Sequence, residues 1–509
     1  MRPESYTSRP PTLRSACAGG RRLRYRRWIA VDVSHARAPA VQPGVQGEPA
    51  APRPESRRVP PVLVLGWLGI ATIGLNTLRL GGFAISDGIF FLLGGVLIFK
   101  LLVGHESGLA PPRMRQASHL VLLGSILLLT AGVLSSFGSW DAEESLLIVA
   151  RLAYVTLVWF WMLRTIVPTR RALDVLLSGW RWGVIAISVV ALLGQIGVLN
   201  VSQQNAENRQ TAFSGHPNDL AGYLAVGLPI LLMNLPRHPE HSRRRRTLGR
   251  MAALALAVYG ISTTGSMTAF LAGGVAVVST LAISALIPPM EGERRRLHPL
   301  SVMAGAVAAV VGLTLLASSD LPLLERFERL ESGDSYVESS ASHRARLNAA
   351  VVNRFDDWLV VGVGMDAASL SAAELTADPI LMGGVHNMYL KVLFEAGLPG
   401  LIGVLVIQLA TFRCAFRLVI HSRDTALYPV AVGLTGAAAG ACFYALFAPI
   451  LFQRYFWLPI GMIWCLWALR REELRRQSAA VVAEAQAVAP RRTAAPRSAP
   501  AIGGPTAPG

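Results

Sequence analysis

Apolar runs close to twenty residues long recur through most of this chain, and a helix of that length matches the hydrocarbon thickness of a bilayer. Inside lipid every backbone N–H and C=O must find a partner within the protein, which leaves closed barrels and helices. The runs are continuous rather than alternating, so the expected fold is all-α: a polytopic transmembrane helix bundle of about 12 spans. The spans fall at roughly 61–80, 86–104, 118–138, 145–164, 178–198, 217–235, 250–264, 267–287, 299–317, 386–410, 426–447 and 452–469. Residues 1–60, rich in Arg, Pro and Ala, read as a disordered basic cytoplasmic tail, 61–470 as the membrane domain, and 471–509 as a second disordered tail.

A formal net charge of +17 could suggest nucleic acid as a partner. The arginines, however, sit in the N-terminal tail and in short clusters between spans, without interleaved stacking aromatics, so topology accounts for them better than nucleic-acid binding does. With a cytoplasmic N-terminus, the interior loops hold Arg113, Arg115, Arg164, Arg170, Arg171, Arg237, Arg243, Arg244, Arg245, Arg246, Arg250, Arg294, Arg295, Arg296, Arg413, Arg417 and Arg423. The exterior loops hold only Arg209, Arg326, Arg329, Arg344, Arg346 and Arg354. The bias predicts a multi-pass membrane protein with both termini inside. Cys17, Cys414, Cys442 and Cys465 show neither metal-ligand spacing nor a disulfide framework, and the sequence suggests no metal and no cofactor.

One polar stretch, residues 318–385, interrupts the apolar pattern and is expected as a large extracytoplasmic helical loop. Three segments concentrate polar chemistry on that face. The first runs Arg209-Gln-Thr-Ala212-Phe213-Ser-Gly215-His216-Pro217-Asn218-Asp219 into a span, with Pro217 suited to a helix's first turn. The second, Ser342-His343-Arg344-Ala-Arg346-Leu347-Asn348, continues to Trp358 and Gly362-Val-Gly364; its apolar spacing predicts a short amphipathic helix. The third, Gly383-Gly384-Val385-His386-Asn387-Met-Tyr389-Leu390, opens a span in which Glu395 follows two and a half turns later and Gly397 with Pro399 predicts a break. Taken singly, each has a plain structural reading as a helix start, a surface helix and a hydrogen-bonded interfacial histidine.

Together the three segments resemble the O-antigen ligase and O-antigen polymerase superfamily of bacterial envelope glycan enzymes. Arg209 with Pro217-Asn218 is similar to that family's Arg-x-x-Gly-x-x-x-x-Pro-Asn, although Ala212 stands where glycine is usual. Ser-His-Arg344 resembles its Ser-Gly-Arg, Gly362-Val-Gly364 its Gly-x-Gly, and His386-Asn387-x-Tyr389-Leu390 with Glu395-x-Gly397 its most specific signature. Two departures concern the glycan pocket: Asn348 replaces a common tryptophan, and Asp356-Asp357-Trp358-Leu359-Val360 replaces a His-Pro-Leu run.

The resemblance implies an enzyme that transfers or polymerises a polyprenyl-pyrophosphate-linked glycan donor onto a glycan or glycolipid acceptor hydroxyl at the outer face of the bilayer. It implies His386, Arg344 and Arg209 as catalytic residues. Asn218, Asn387, Arg346 and Glu395 flank them as candidate substrate contacts, and Arg454, near the outer end of the last span, is a further candidate cation. A polysaccharide flippase or transporter is the alternative reading, since twelve spans with both termini inside also describe many carriers.

Overall fold

The computed structural model describes residues 59–75, 79–80, 83–199, 209–233, 243–290, 323, 344–349, 351–353, 355–365 and 385–488, all within the unit that begins at Val59. The long helices are α1 (Pro61–Ala71), α2 (Ile85–Leu102), α3 (His119–Ser136), α4 (Ala142–Ile166), α5 (Arg170–Gln195), α6 (Pro217–Leu232), α7 (Arg243–Thr263), α8 (Met267–Leu286), α9 (Met388–His421), α10 (Tyr428–Ala445) and α11 (Arg454–Val488). A two-residue antiparallel pairing of Arg79–Leu80 with Phe83–Ala84 lies between α1 and α2 and leaves the class all-helical. Seven helices, α2, α3, α4, α5, α8, α9 and α10, are long and apolar enough to cross a membrane. The expected span at 299–317, most of the 318–385 loop and both tails' outer parts lie outside the described residues.

Local chemistry sets the helix starts. Asp141 caps α4 by accepting from Glu144 N–H at 2.9 Å, Thr169 caps α5 through Ala172 N–H, and Pro217 occupies the first turn of α6. Packing between helices relies on small residues, because lipid offers no hydrophobic drive for association. At the crossing of α3 and α9 a Cβ on Gly124 would lie 2.7 Å from the Gly403 carbonyl, and one on Gly403 2.6 Å from the Gly124 carbonyl. α8 and α10 meet likewise, with Gly440 against Ala276 and the Ala272 carbonyl.

The structure revises several expected boundaries. α1 ends at Ala71 rather than near 80: Ile73 is buried but sits in a turn, so hydropathy read burial there as helix. Its eleven residues reach only about 16 Å, roughly half the hydrocarbon thickness. α5 starts at Arg170, eight residues before the expected 178, with Arg170 paired to Asp174 at 2.9 Å on the polar first turn. α11 continues to Val488, through a stretch assigned to the tail; Ala, Glu, Gln and Arg favour helix there, and Glu472 pairs with Arg476 at 3.3 Å.

The largest revision is in α9. The expected break is present at Gly397 (φ 64°, ψ −173°), but it folds the helix back on itself instead of kinking a single span. Tyr389 Oη lies 3.2 Å from Gln408 Oε1, nineteen residues on, whereas a straight helix would separate those positions by about 28 Å. The segment Leu359–Gly364 satisfies the backbone groups released by the fold: Val363 and Gly364 N–H donate to the Phe394 and Glu395 carbonyls at 3.1 Å, and Leu398 N–H to Leu359 O at 2.7 Å.

Tertiary contacts sort into two ends, as alternate spans require. At one end Arg164 Nε donates to Met114 O at 2.9 Å, Arg423 Nε to Pro288 O at 2.6 Å and Arg470 Nε to His421 O at 2.8 Å, and Arg113 pairs with Glu472 at 2.5 Å. At the other, Met365 N–H donates to Ser145 Oγ at 2.8 Å, the α7–α8 turn meets the start of α6, and Arg454 pairs with Asp87. Arginine-rich connections belong to the first end, and all three polar segments belong to the second.

Candidate active site

At the second end, the segment ahead of α6 turns sharply through Ala212 (φ 40°), Phe213 (φ 67°) and Gly215 (φ 83°) before His216 caps the helix by accepting Asn218 N–H at 3.1 Å. Two consecutive non-glycine residues in the left-handed region store backbone strain of the kind that gathers at functional sites. The turn returns Arg209 to its own helix start: Arg209 Nη2 donates to Asn218 Oδ1 at 2.9 Å. Arg209 Nε donates to the Thr264 carbonyl at 2.6 Å, in the short connection between α7 and α8. The guanidinium is thus only 7% exposed and fixed by oxygens from two separate segments.

Residues 344–349 are helical, as the apolar spacing predicted. Leu347 and Val351 are fully buried while Arg344 is half-buried and Arg346 exposed. A small core anchors this piece to the first part of α9: Trp358 stacks edge-on to Phe394 at 5.4 Å, Val351 and Val385 fill in around them, and Trp358 Nε1 donates to Val351 O at 3.1 Å. Arg209 and Arg344, 135 residues apart in the chain, both act electrostatically on one group, the Tyr444 hydroxyl near the end of α10. Tyr444 Oη donates to Asn218 O at 2.7 Å.

His386 is half-buried and immediately precedes Asn387, whose side-chain oxygen accepts from Tyr389 N–H at 2.9 Å and Leu390 N–H at 3.1 Å. Asn387 is therefore the N-cap of α9. The folded-back part of α9 carries this corner toward α10, since Tyr389 Oη also lies 3.2 Å from the Cys442 carbonyl, two residues before Tyr444.

Two other candidates have intramolecular partners. Glu395 is completely buried, 3.3 Å from Lys391 Nζ and beside the fold at Gly397. Arg454 is ion-paired with Asp87 on α2. Asp219, next to Asn218, accepts from Tyr455 Oη at 3.5 Å. Among the described residues no three His, Cys, Asp or Glu side chains gather to hold a metal ion. Tyr444, Tyr455, Thr264 and Lys391 were not singled out from sequence. Tyr444 lies in a run of small apolar residues and nothing local marks it.

Residues 252–405 match the family model described as O-antigen ligase, a segment that includes Arg344, Gly362, Gly364, His386 and Glu395. Over this segment the chain resembles an O-antigen ligase. The match supports the ligase and polymerase superfamily that the motifs resemble, and the seven apolar helices among the described residues are long enough to cross a membrane. Comparison with curated proteins finds no match. Arg209 and Asn218 precede the matched O-antigen ligase segment and Tyr444 follows it, so the cluster extends beyond both of its ends.

Proposed function

We propose that the chain transfers or polymerises a polyprenyl-pyrophosphate-linked glycan onto an acceptor hydroxyl at the extracytoplasmic face of the bacterial inner membrane, without a metal ion. The observation that carries this reading is the pair of arginines, Arg209 and Arg344, both within electrostatic reach of the Tyr444 hydroxyl at the arginine-poor end of the bundle. Nucleoside triphosphates do not reach the outer face, so a donor there arrives already activated, and a lipid-linked pyrophosphate meets that need. Guanidinium groups suit its oxygens because they donate in planar pairs and keep their charge when buried.

In this reaction the acceptor oxygen attacks the anomeric carbon, the bond from that carbon to the pyrophosphate oxygen breaks, and negative charge develops on the departing diphosphate. Arg209 and Arg344 stabilise that charge. Arg209 is held in advance by Asn218 and Thr264, so little reorganisation accompanies the step. Direct displacement inverts the anomeric centre. His386, at the same end, either accepts the proton of the acceptor hydroxyl or contacts the phosphate, and His386→Gln separates these roles because glutamine retains hydrogen bonding without proton transfer.

Arg209→Ala and Arg344→Ala are each expected to lower turnover on the order of a hundredfold to a thousandfold. The measurement uses full-length protein in nanodiscs with lipid-linked glycan extracted from the source membranes. Longer or transferred glycan in the wild type, and its loss in both variants, supports the reading. Near-normal turnover in either variant, or transbilayer movement of the lipid-linked glycan without product, overturns it.

A further inference from the structure

The hydrogen bonds around Arg209 form a relay that reaches Tyr444. Arg209 Nε donates to Thr264 O at 2.6 Å. Arg209 Nη2 donates to Asn218 Oδ1 at 2.9 Å, and the backbone carbonyl of the same Asn218 accepts from Tyr444 Oη at 2.7 Å. The single phenolic proton of Tyr444 is thus committed to the Asn218 carbonyl. The relay draws on three parts of the chain, and Gly222 makes room for it; a Cβ there would come within 2.5 Å of the Tyr444 aromatic ring.

We infer that Tyr444 is a positioning residue for glycan transfer, holding the start of α6 so that Arg209 is aimed at the diphosphate leaving group. This rests on the proposed function above. Asn218 contributes two handles, its backbone carbonyl to Tyr444 and its side chain to Arg209, so a force on one is felt at the other. Removing the hydroxyl releases the first handle and lets Asn218, and Arg209 with it, depart from a pose in which the guanidinium is otherwise fixed. Because the lost interaction matters where charge develops, the effect belongs in kcat more than in KM.

The test uses Tyr444→Phe, which keeps the ring's packing and removes only the hydroxyl, alone and combined with Arg209→Lys, in full-length protein with the same extracted lipid-linked glycan. Tyr444→Phe is expected to lower kcat roughly three- to tenfold, the value of one hydrogen bond, and to leave KM and the thermal midpoint near wild type. In the Arg209→Lys background, itself strongly impaired, the second change should cost less than about twofold, because coupled residues are not additive. Unchanged kcat in Tyr444→Phe while Arg209→Lys is impaired overturns the inference and leaves the function standing. Full, multiplicative losses in the double variant likewise overturn it, since the hydroxyl then acts apart from Arg209. Normal turnover in Arg209→Lys overturns both.

Discussion

Ala212 shows how a single residue departs from its family pattern and what that costs. The resemblance has glycine at this position, and the structure supplies a reason: the backbone turns there with φ 40°, in the left-handed region that a Cβ disfavours by about 1–2 kcal/mol. Ala212→Gly is therefore expected to stabilise the protein by about 1 kcal/mol, less the added freedom of the unfolded chain, and to preserve turnover. Thermal unfolding in nanodiscs alongside the transfer assay checks this; a lower midpoint would mean that the methyl group's packing outweighs the strain. Arg209, Arg344 and His386 were singled out in the sequence by the three motifs taken together, since each alone had a plain structural reading. Tyr444 was not, since a tyrosine in a span is ordinary until its hydroxyl is seen to have partners. Trp180 and Trp182 make the same point: both look like interfacial aromatics, yet Trp180 is fully buried and Trp182 half exposed, because spacing of two places them on different faces of α5.

Among the elements, the folded helix α9 depends on the Gly362-Val-Gly364 segment. Gly362 (φ 84°) lies against the Glu395 carbonyl with no space for a Cβ, and a Cβ on Gly397 would come within 2.6 Å of the Val360 carbonyl. Gly362→Ala is expected to destabilise the protein by roughly 2 kcal/mol or more, by strain and by pushing the loop off the carbonyls that it satisfies. Because the same segment supports the Trp358 and Phe394 stack behind Arg344, turnover should fall with it. Unfolding and transfer measured on one preparation test the link; intact stability and full turnover together would show that the loop can shift without cost. The motif itself was visible in the sequence. Its reason was not, because the groups that it satisfies lie some thirty residues downstream, and hydropathy scores a folded-back helix and a straight one alike.

For the molecule as a whole, the arginine distribution and the contacts agree on two ends, and the remaining prediction concerns which end faces out. In a Cys17→Ala background, Glu143→Cys, exposed on the first turn of α4, should react with a membrane-impermeant maleimide on intact cells. Ser478→Cys, exposed on the extension of α11, should react only after permeabilisation. The reverse pattern would put Arg209 and Arg344 in the cytosol and remove the case for a lipid-linked donor. The class and most helices followed from apolar run length alone, whereas the exact ends depended on tertiary partners such as Asp174 for Arg170.

That the hydrogen bonds running from Arg209 through Asn218 to Tyr444 use residues on both sides of the matched segment limits how this protein can be divided. A chimera that transplants residues 252–405 into a foreign bundle would bring Arg344 and His386 but leave Arg209, Asn218 and Tyr444 behind. Such a graft could keep its signature and still be inert, so exchanges meant to alter glycan preference should take α6 and α10 along as one inherited piece.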